Sequence, residues 1–424
     1  MTKDVTVLGA GIIGICTALS LLERGARVRL IDRGEPGQEA SFGNAGIISP
    51  WSIIPQSLPG VWRQIPQLML SHNPALTIRP KTLFKMIPWG LEFLKRGRPE
   101  IVEEAADTME FLCAPSIDLY RRHLEGTGGE QLVRDSFYVH AFRDAGKANL
   151  DAIDYRIRRE KGADVVLADQ NELRRLEPAL SKDFKGAVLI RGQARAVSPG
   201  RIGQILAAKV KNLGGEILMR DITSLHKTED GWSVDCGEEQ FSASSVVLSL
   251  GAWSPALLEP LGIRMPLMAE RGYHVEFPEP GITLTHSIMD VDRKVVASSM
   301  ENGMRLAGLA EFAPVDAAPD ARKKPQLESI AQAMFPDLNA SKPNFWMGRR
   351  PSFPDSLPAL GCWPDFDGLV ANFGHSHYGL MMAPKSGEVA ADIVLGVSQN
   401  RDLGALSPVR FSRRPRSAHE VRKS

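Results

Sequence analysis

The sequence predicts an α/β fold in which a parallel sheet flanked by helices is joined to a second unit built on a large antiparallel sheet. The chain opens with a strand, a glycine-rich turn, a helix and a second strand. Strand-like runs follow one another in residues 255–345, and a second glycine-punctuated strand-to-helix turn begins at residue 374. At 424 residues the chain is long enough for two or three domains.

The N-terminal unit spans residues 4–32. A short apolar run is typical of a buried parallel strand, a helical pattern follows, and a second apolar run ends at Asp32. The glycines between strand and helix are Gly9, Gly11 and Gly14. Glycines at this spacing permit the tight turn, the approach of a pyrophosphate to a helix N-terminus and close packing, and an acid about 20 residues later binds a ribose. The unit predicts a Rossmann-type dinucleotide site, although a turn can also need glycines for its backbone alone.

The residues beside this motif do not decide which dinucleotide binds. Asp32 would repel a ribose phosphate, which argues against the phosphorylated cofactor. Arg33 weakens that argument, but an arginine here can equally stack on adenine. The motif alone does not separate NAD from FAD.

Composition and charge argue against several classes of protein. The formal net charge of +1 gives no reason to expect a nucleic-acid partner. The four cysteines lack metal-ligand spacing, so we expect buried thiols in a reducing compartment and no metal site. The first strand begins at the fourth residue, which leaves no room for a signal peptide, and no apolar run approaches the ~20 residues of a membrane helix. We expect a cytoplasmic protein, with contact at the inner face of the cytoplasmic membrane left open.

Residues 35–50 are small, polar and glycine-rich, and they end in apolar residues. One interpretation is a surface loop. The other is backbone that passes close to a flat ligand, with Ser41 and Asn44 donating to phosphate or ring oxygens.

Residues 51–98 form an apolar insert rich in proline and tryptophan. Its tryptophans are Trp51, Trp62 and Trp89. Its basic residues are Arg63, Arg79, Lys81, Lys85, Lys95, Arg96 and Arg98. We favour short packed helices interrupted by prolines; the alternative is an exposed amphipathic patch that contacts a membrane or a partner.

Periodicity and turn residues predict the other elements. Ser198 should cap a helix that runs from Pro199 to Val210. Other helices are predicted over 101–126, 147–161, 172–178, 317–335 and from the turn at 374 to 393. Strands are predicted at 132–142, 217–219, 233–236, 245–250, 271–277, 284–289, 294–298, 304–309 and 369–372.

Five motifs occur in a fixed order along the chain. They are GAGIIG with its Asp32, SFGNAGIISP, SLGAWS, GRRPSFPDSLPALG and GHSHYGLMMAPKSG. This order resembles the FAD-dependent amino-acid oxidoreductases, a family that includes D-amino acid oxidase, glycine oxidase, sarcosine oxidase and D-amino acid dehydrogenase. SFGNAG and the insert after it are most similar to bacterial D-amino acid and D-hydroxyproline dehydrogenases. The resemblance extends to about residue 412 and favours FAD over NAD.

The resemblance implies a fold assembled from separated segments. The implied FAD-binding domain comprises 1–50, 195–254 and 345–400. The implied substrate domain, a large antiparallel sheet flanked by helices, comprises 80–194 and 255–344. Residues 51–98 are then an insert, and 401–424 a basic, mostly disordered tail.

The resemblance also implies which residues contact FAD. The pyrophosphate would be held by Gly9, Gly11, Ile12, Ile13 and Gly14, and the adenosine side by Asp32, Arg33, Leu250 and Gly251. The flavin would be lined by Ser41, Asn44, Ala45, Gly46 and Ile47, and its pyrimidine would meet a helix N-terminus at Gly374, His375, Ser376, His377, Tyr378, Gly379 and Leu380. No cysteine occupies a motif position for covalent attachment, so we expect non-covalent FAD.

On the substrate side, Arg350 of the GRRP motif matches the family's carboxylate-binding arginine, with Arg349 as the less favoured alternative. Tyr273, His377 and Tyr378 are further candidate catalytic residues. A histidine here can equally be a core or surface residue.

The implied reaction is oxidation of a D-amino acid: hydride passes from Cα to flavin N5, and water converts the imine to a 2-oxo acid and ammonia. The alternatives are D-proline, D-hydroxyproline or another secondary amine of the sarcosine or glycine type. An FAD-binding electron-transfer subunit is a hypothesis of another class. We expect an amino acid as the small-molecule partner, and a quinone or a redox protein rather than NAD as the electron acceptor.

Overall fold

The computed structural model describes residues 2–70 and 74–411. Its strands are β1 (Asp4–Leu8), β2 (Arg27–Asp32), β3 (Ile47–Ile48), β4 (Leu76–Ile78), β5 (Val133–Phe142), β6 (Val165–Asp169), β7 (Gly186–Ala196), β8 (Glu216–Met219), β9 (Ser224–Thr228), β10 (Gly231–Cys236), β11 (Glu239–Ala243), β12 (Ser245–Leu248), β13 (Met268–Phe277), β14 (Ser287–Asp290), β15 (Val295–Met300), β16 (Gly303–Phe312), β17 (Asn344–Ser352), β18 (Ala359–Trp363) and β19 (Phe366–Phe373). Its α-helices are α1 (Ile12–Glu23), α2 (Ile65–Leu70), α3 (Leu83–Arg96), α4 (Pro99–Cys113), α5 (Ser116–Leu124), α6 (Ile153–Glu160), α7 (Gln170–Leu176), α8 (Pro199–Asn212), α9 (Ser254–Leu258), α10 (Lys323–Met334) and α11 (Gly379–Leu395).

A six-stranded sheet carries the N-terminal glycine turn. Its strand order is β18-β19-β12-β1-β2-β8, and all neighbours run parallel except the antiparallel pair of β18 and β19. Because β1 lies between β2 and β12, the turns that follow β1 and β12 open at the same edge. The strands come from the beginning, middle and end of the chain, so the predicted Rossmann-type domain built from separated segments is confirmed.

A ten-stranded sheet forms the second unit. Its order is β17-β13-β16-β15-β14-β5-β7-β3, with β4 beside β16 and β6 beside β7. The sheet is antiparallel as predicted, except that β14 runs parallel to β5 and β4 parallel to β16. β17 belongs to this sheet, although the sequence placed 345–400 in the cofactor domain. We therefore propose that the domain boundary follows Ser352.

The insert combines a buried and an exposed face. Pro88 lies inside α3, so it does not end a helix as predicted. Trp89 is buried and donates its indole N–H to the carbonyl oxygen of Ser352 at 3.2 Å. Phe84 on the same helix is 85% exposed. Helix α3 therefore packs through Trp89 and turns other apolar side chains outward.

The C-terminal segment is packed where the structure describes it. Arg410 pairs with Asp355 at 2.8 Å and donates to the carbonyl oxygen of Leu357 at 2.7 Å, which corrects the predicted disorder around this residue. The rest of that prediction, over 412–424, lies outside the described residues. Among the cysteines, Cys362 is exposed rather than buried. No helix within 2–70 and 74–411 is long and apolar enough to cross a membrane.

Candidate active site

Packing of the chain itself requires two of the three glycines in the turn after β1. Gly9 has a φ of +104°, and a Cβ there would lie 2.5 Å from the carbonyl oxygen of Ser249. At Gly14 a Cβ would lie 1.8 Å from the carbonyl oxygen of Gly9. Gly11 has an ordinary φ of −68°, and the atom nearest to its Cβ would be the Ser41 hydroxyl at 3.4 Å. Open space on this side of Gly11 fits the close approach of a pyrophosphate.

The end of β2 places Asp32 beside the same turn. Its carboxylate accepts the backbone N–H of Ala10 at 2.7 Å and that of Gly34 at 3.0 Å. The hydroxyl of Ser41 accepts the backbone N–H of Ile12 at 2.9 Å, at the N-terminus of α1. These bonds fix an anionic group and a hydroxyl where the ribose and the pyrophosphate are predicted to bind.

Arg33 stacks on the indole ring of Trp253, with its guanidinium carbon 4.3 Å from the ring centroid. Arg349 lies near the same ring, at 5.3 Å, and both arginines pair with Glu39. Arg33 therefore has an aromatic partner within the chain, and its stacking on adenine stays a prediction.

A cavity of about 1510 Å³ extends from the glycine turn to the ten-stranded sheet. Sites for one small molecule usually enclose about 300–1,000 Å³, so this cavity has room for a dinucleotide together with a substrate. It is bordered by every residue predicted to contact the cofactor except Gly9, Gly14 and Gly46. Gly46 instead allows a close chain crossing, since its φ is +81° and a Cβ would lie 2.4 Å from the carbonyl oxygen of Ala196.

Unpaired polar atoms at the cavity wall point to a bound polar ligand. Five buried side-chain atoms of residues that border the cavity have no hydrogen-bond partner within the described part of the chain: His140 Nε2, Ser249 Oγ, Trp253 Nε1, His375 Nδ1 and Ser376 Oγ. Buried polar groups are nearly always paired, so each of these fits a contact with a ligand or a water. Together with the open side of Gly11, they suit FAD.

The second glycine turn joins β19 to α11. Gly374 has a φ of +85°, and a Cβ there would lie 2.1 Å from the ring of Phe353, so the turn requires glycine. His375 is buried and pairs through Nε2 with the Ser386 hydroxyl at 3.1 Å. Burial lowers the pKa of His375 to about 3, so it is a neutral wall residue.

His377 and Tyr378, the next two residues of this turn with rings, differ from His375 in their contacts. Tyr378 donates its hydroxyl to the carbonyl oxygen of Ile54 at 2.6 Å, and burial raises its pKa. The hydroxyl of Tyr378 therefore stays protonated and anchors the loop after β3. His377 borders the cavity with 34% of its side chain exposed.

Arg350 lies on β17 directly opposite Glu270 of β13. Its Nη1 donates to a carboxylate oxygen of Glu270 at 3.0 Å and to the carbonyl oxygen of Leu309 at 3.2 Å. Leu309 has a φ of +59° and lies at the bulge between β13 and β16. The guanidinium lies flat over Gly272, where a Cβ would come within 2.1 Å of Nη2. A bulge, a glycine and an acid therefore hold Arg350 in one orientation.

The contacts of Arg350 within the chain use the donors on one side of its guanidinium only. The two contacts above use both hydrogens of Nη1, whereas Nε and Nη2 have no hydrogen-bond partner among the described residues. Nε–H and Nη2–H are parallel donors, and such a fork matches a carboxylate. Arg350 borders the cavity, so the fork is available there to a ligand.

Glu270 is a candidate site residue that the sequence did not indicate. Its carboxylate is 4% exposed and accepts hydrogen bonds from Arg350, from His377 Nε2 at 2.6 Å and from the Ser352 hydroxyl at 3.0 Å. Burial would raise the pKa of Glu270, but the charges and hydrogen bonds of these three partners outweigh burial and hold it at about 2. The carboxylate is therefore ionised. Its only signal in the sequence was an acid directly before the strand predicted at 271–277.

Tyr273 borders the same cavity as Arg350, but the two side chains have different partners. Alternation along β13 directs the Tyr273 side chain to the face opposite Glu270. Tyr273 is 1% exposed and donates its hydroxyl to Glu311 at 2.5 Å. Burial and Glu311 raise the pKa of Tyr273 to about 12. A catalytic role for Tyr273 therefore stays a prediction, and in this structure its hydroxyl is bonded to Glu311.

Comparisons with known proteins identify the family of the chain. Residues 4–393 match the family model described as DAO, FAD dependent oxidoreductase. The chain is 33% identical over 417 residues to a D-amino-acid oxidase of Bradyrhizobium diazoefficiens, covering 96% of this chain and 99% of that protein. It is 30% identical over 416 residues to a D-amino acid dehydrogenase of Rhizobium rhizogenes, with the same shares covered.

Solved structures share the fold. Glycine oxidase from Geobacillus kaustophilus superposes with a TM-score of 0.72 at 22% identity, covering 96% of this chain and 99% of that one. L-proline dehydrogenase from P. horikoshii superposes with a TM-score of 0.72 at 17% identity, covering 97% and 98%. The family match over nearly the whole chain sets the cofactor as FAD and confirms the predicted resemblance. The chain belongs to the DAO family of FAD-dependent oxidoreductases.

Proposed function

We propose that this protein oxidises a D-amino acid to its imine, which water converts to a 2-oxo acid and ammonia. Oxidation of an amino acid with FAD is supported by the family match and by the names of the two curated relatives. The preference for the D-form is supported by those names alone.

The free donor fork of Arg350 is the observation that carries the proposal. A substrate carboxylate that loses water on entering this cavity must be paired, because an unpaired buried charge is costly. Glu270 and Leu309 already hold Nη1, so the fork needs no reorganisation when the carboxylate binds. Every α-amino acid offers a carboxylate next to the carbon that is oxidised. Arg350 therefore selects this substrate class and positions its Cα.

The chain contributes positioning and water exclusion to the reaction. When bound, FAD accepts the hydride that leaves Cα. The amine must first be neutral, since its lone pair forms the C=N bond as the hydride departs. The protein fixes the carboxylate through Arg350, and apolar residues of the cavity wall, among them Ile54, Met86 and Phe312, exclude water from the reacting carbon.

Gly272→Ala should impair substrate use without loss of FAD. The new methyl group would lie 2.1 Å from Nη2 of Arg350 and would displace the guanidinium. We expect kcat/KM to fall by about tenfold, as when a charge-assisted hydrogen bond is misplaced. Gly90→Ala is the matched control, because its methyl group meets no atom within 4 Å. Equal kinetics of the two variants would contradict the role given to Gly272.

The insert carries an exposed surface that we assign to the electron-acceptor side. We name it the apolar ridge: Leu70, Leu83, Phe84, Ile87, Leu91 and Leu94, each at least 40% exposed. Residues 51–98 carry seven basic residues and one acid, Glu92. Several ridge residues, including Ile87 and Leu91, also border the cavity. An apolar surface on a segment rich in basic residues suits an anionic membrane, from which a quinone could enter the cavity.

The double variant Phe84→Ser/Leu91→Ser tests this assignment. We expect it to lose binding to vesicles that contain anionic lipid and to reduce a membrane quinone slowly. Bleaching of its flavin by the amino acid should be unchanged, because Arg350 is untouched. The matched control is Leu167→Ser, which removes a leucine on β6 that is 51% exposed, close to the 58% of Leu91. If wild-type protein does not bind such vesicles at low salt, the membrane assignment is contradicted.

A substrate screen tests the function itself. FAD-loaded protein is offered D- and L-amino acids, cyclic and acyclic, with an artificial electron acceptor, and 2-oxo acid and ammonia are measured. We expect turnover of acyclic D-forms and none of their L-enantiomers. Turnover confined to cyclic D-forms, without ammonia, would favour the D-proline or D-hydroxyproline alternative. Absence of turnover with every amino acid would favour an electron-transfer subunit.

A further inference from the structure

We propose that His377, oriented by Glu270, accepts the proton that the substrate ammonium must lose before oxidation. This inference rests on the proposed amino-acid substrate and goes beyond it, because it names the group that makes the amine reactive. The step is a proton transfer: an N–H bond of the ammonium breaks, its electron pair stays on nitrogen, and the proton passes to Nδ1 of His377. The resulting imidazolium is paired with the Glu270 carboxylate.

The position of His377 follows from a shared oxygen. His377 Nε2 and Arg350 Nη1 both bond to Oε1 of Glu270, at 2.6 Å and 3.0 Å. The imidazole therefore lies beside the guanidinium that is proposed to hold the carboxylate. The carboxylate and the amine of an α-amino acid are attached to one carbon. A base next to the carboxylate-binding group is thus within reach of the amine.

The tautomer of His377 follows from the state of its partner. The Glu270 carboxylate is paired with the Arg350 guanidinium and accepts the Ser352 hydroxyl, so it is ionised and only accepts hydrogen bonds. Nε2 of a neutral His377 must therefore carry the ring proton, which leaves the lone pair of Nδ1 free. His377 has no second hydrogen bond within the described residues, and about a third of its side chain is exposed at the cavity. Nδ1 is the nitrogen that can accept a proton from a ligand.

The charged groups around His377 set the net charge of the cluster once the ring takes up a proton. Glu270 on β13 is the acid in contact with it, and Arg350 on β17 faces it across that carboxylate. Tyr378, with a ring centroid 6.5 Å away, is the titratable neighbour on its own turn. Glu270 and Arg350 cancel as a pair. One proton on His377 therefore gives the cluster the net positive charge that offsets the substrate carboxylate.

Neighbouring polar groups do not offer the same role. His375 is buried with a pKa lowered to about 3 by burial, and Tyr378 is held as a donor by Ile54. Glu270 itself is almost fully buried and bonded to three side chains. His377 is the one exposed base in this cluster of described residues.

The test compares flavin reduction by the best D-amino acid at different pH values, under anaerobic conditions, in wild type and His377→Gln. We expect the variant to be slower by at least about tenfold at neutral pH. The deficit should shrink as the pH rises, because more substrate then arrives with a neutral amine. A merely structural role would leave the same deficit at every pH and would overturn the proposal.

His226→Gln is the matched control, since His226 also pairs with a carboxylate, Asp235 at 3.1 Å, but is exposed and remote on β9. Its rates should equal those of wild type. If His377→Gln fails to fold or to hold FAD, Glu270→Gln is measured instead. A pH-dependent loss of flavin-reduction rate in Glu270→Gln supports the pairing of His377 with Glu270, and a wild-type pH profile overturns the proposal. If wild type is reduced by no amino acid, the proposed function falls instead.

A readout independent of turnover is the tautomer itself. In FAD-loaded protein labelled with ¹⁵N-histidine, the signals that vanish in His377→Gln belong to His377. We expect its neutral form to carry the proton on Nε2, with Nδ1 unprotonated. A proton on Nδ1 in the neutral form would overturn the proposal, because that nitrogen could not then act as the base.

Discussion

Replacing Gly11 by valine is expected to give a folded protein that carries no FAD. The open side of Gly11 is where the pyrophosphate is predicted to approach, and a β-branched side chain would fill that space. The atom nearest to a Cβ there is the Ser41 hydroxyl at 3.4 Å, so the chain itself tolerates the change. Flavin content per protein after purification is the measurement, with far-ultraviolet circular dichroism to confirm the fold.

Gly14→Ala is the contrasting variant for this prediction. Its methyl group would lie 1.8 Å from the carbonyl oxygen of Gly9, so we expect loss of folded protein as well as of FAD. Full flavin occupancy in Gly11→Val would show that the pyrophosphate does not pass over this residue. Equal instability of both variants would show that Gly11 serves packing.

Arg350→Ala is expected to lower kcat/KM by about 100-fold, while FAD content stays near that of wild type. Loss of a charge-assisted pair costs about 1.5–3 kcal/mol, and about 1.4 kcal/mol corresponds to a tenfold effect. The loss should lie at the upper end of this energy range, because Glu270 would lose a positive partner and would repel the substrate carboxylate. Steady-state kinetics with the best amino acid, beside flavin content, measure it.

Two other variants make the Arg350 prediction specific. Arg350→Lys keeps the charge but loses the fork, so we expect intermediate kinetics. Arg349→Ala removes the neighbouring arginine, which is bonded to Val315 and Glu39 instead, and should change kcat/KM much less. A near-normal Arg350→Ala together with a defective Arg349→Ala would reverse the assignment. Loss of FAD from Arg350→Ala would move that residue to the cofactor contacts.

The parts of the fold that were predictable are those in which local sequence and tertiary role agree. The unit from β1 to β2 combines periodicity, turn glycines and a terminal acid in 29 consecutive residues, 4–32. By contrast, β7 was missed because charge and glycine at Arg191 and Gly192 interrupt its apolar run. Pro88 was expected to break a helix, but tertiary packing of Trp89 holds α3 in place around it.

The candidate site was predictable only where one residue carries its own signal. Arg350 stands in a proline-flanked motif, and the glycines mark the turns. Glu270 acquires its role from pairing with β17 and from its contact with His377, which come from distant parts of the chain. The hydroxyl of Tyr273 meets Glu311 because of the way β13 pairs with β16, which depends on sheet register. No local pattern reports that register.

Anaerobic bleaching of the bound flavin by three matched ligands is the most direct test of the central claim that Arg350 holds the carboxylate of a D-amino acid during its oxidation. The ligands are the best D-amino acid, its L-enantiomer and the amine that lacks the carboxylate but keeps the side chain. We expect fast and complete bleaching by the D-amino acid and little or none by the other two. Equal bleaching by the amine, or none by any amino acid, would contradict the claim.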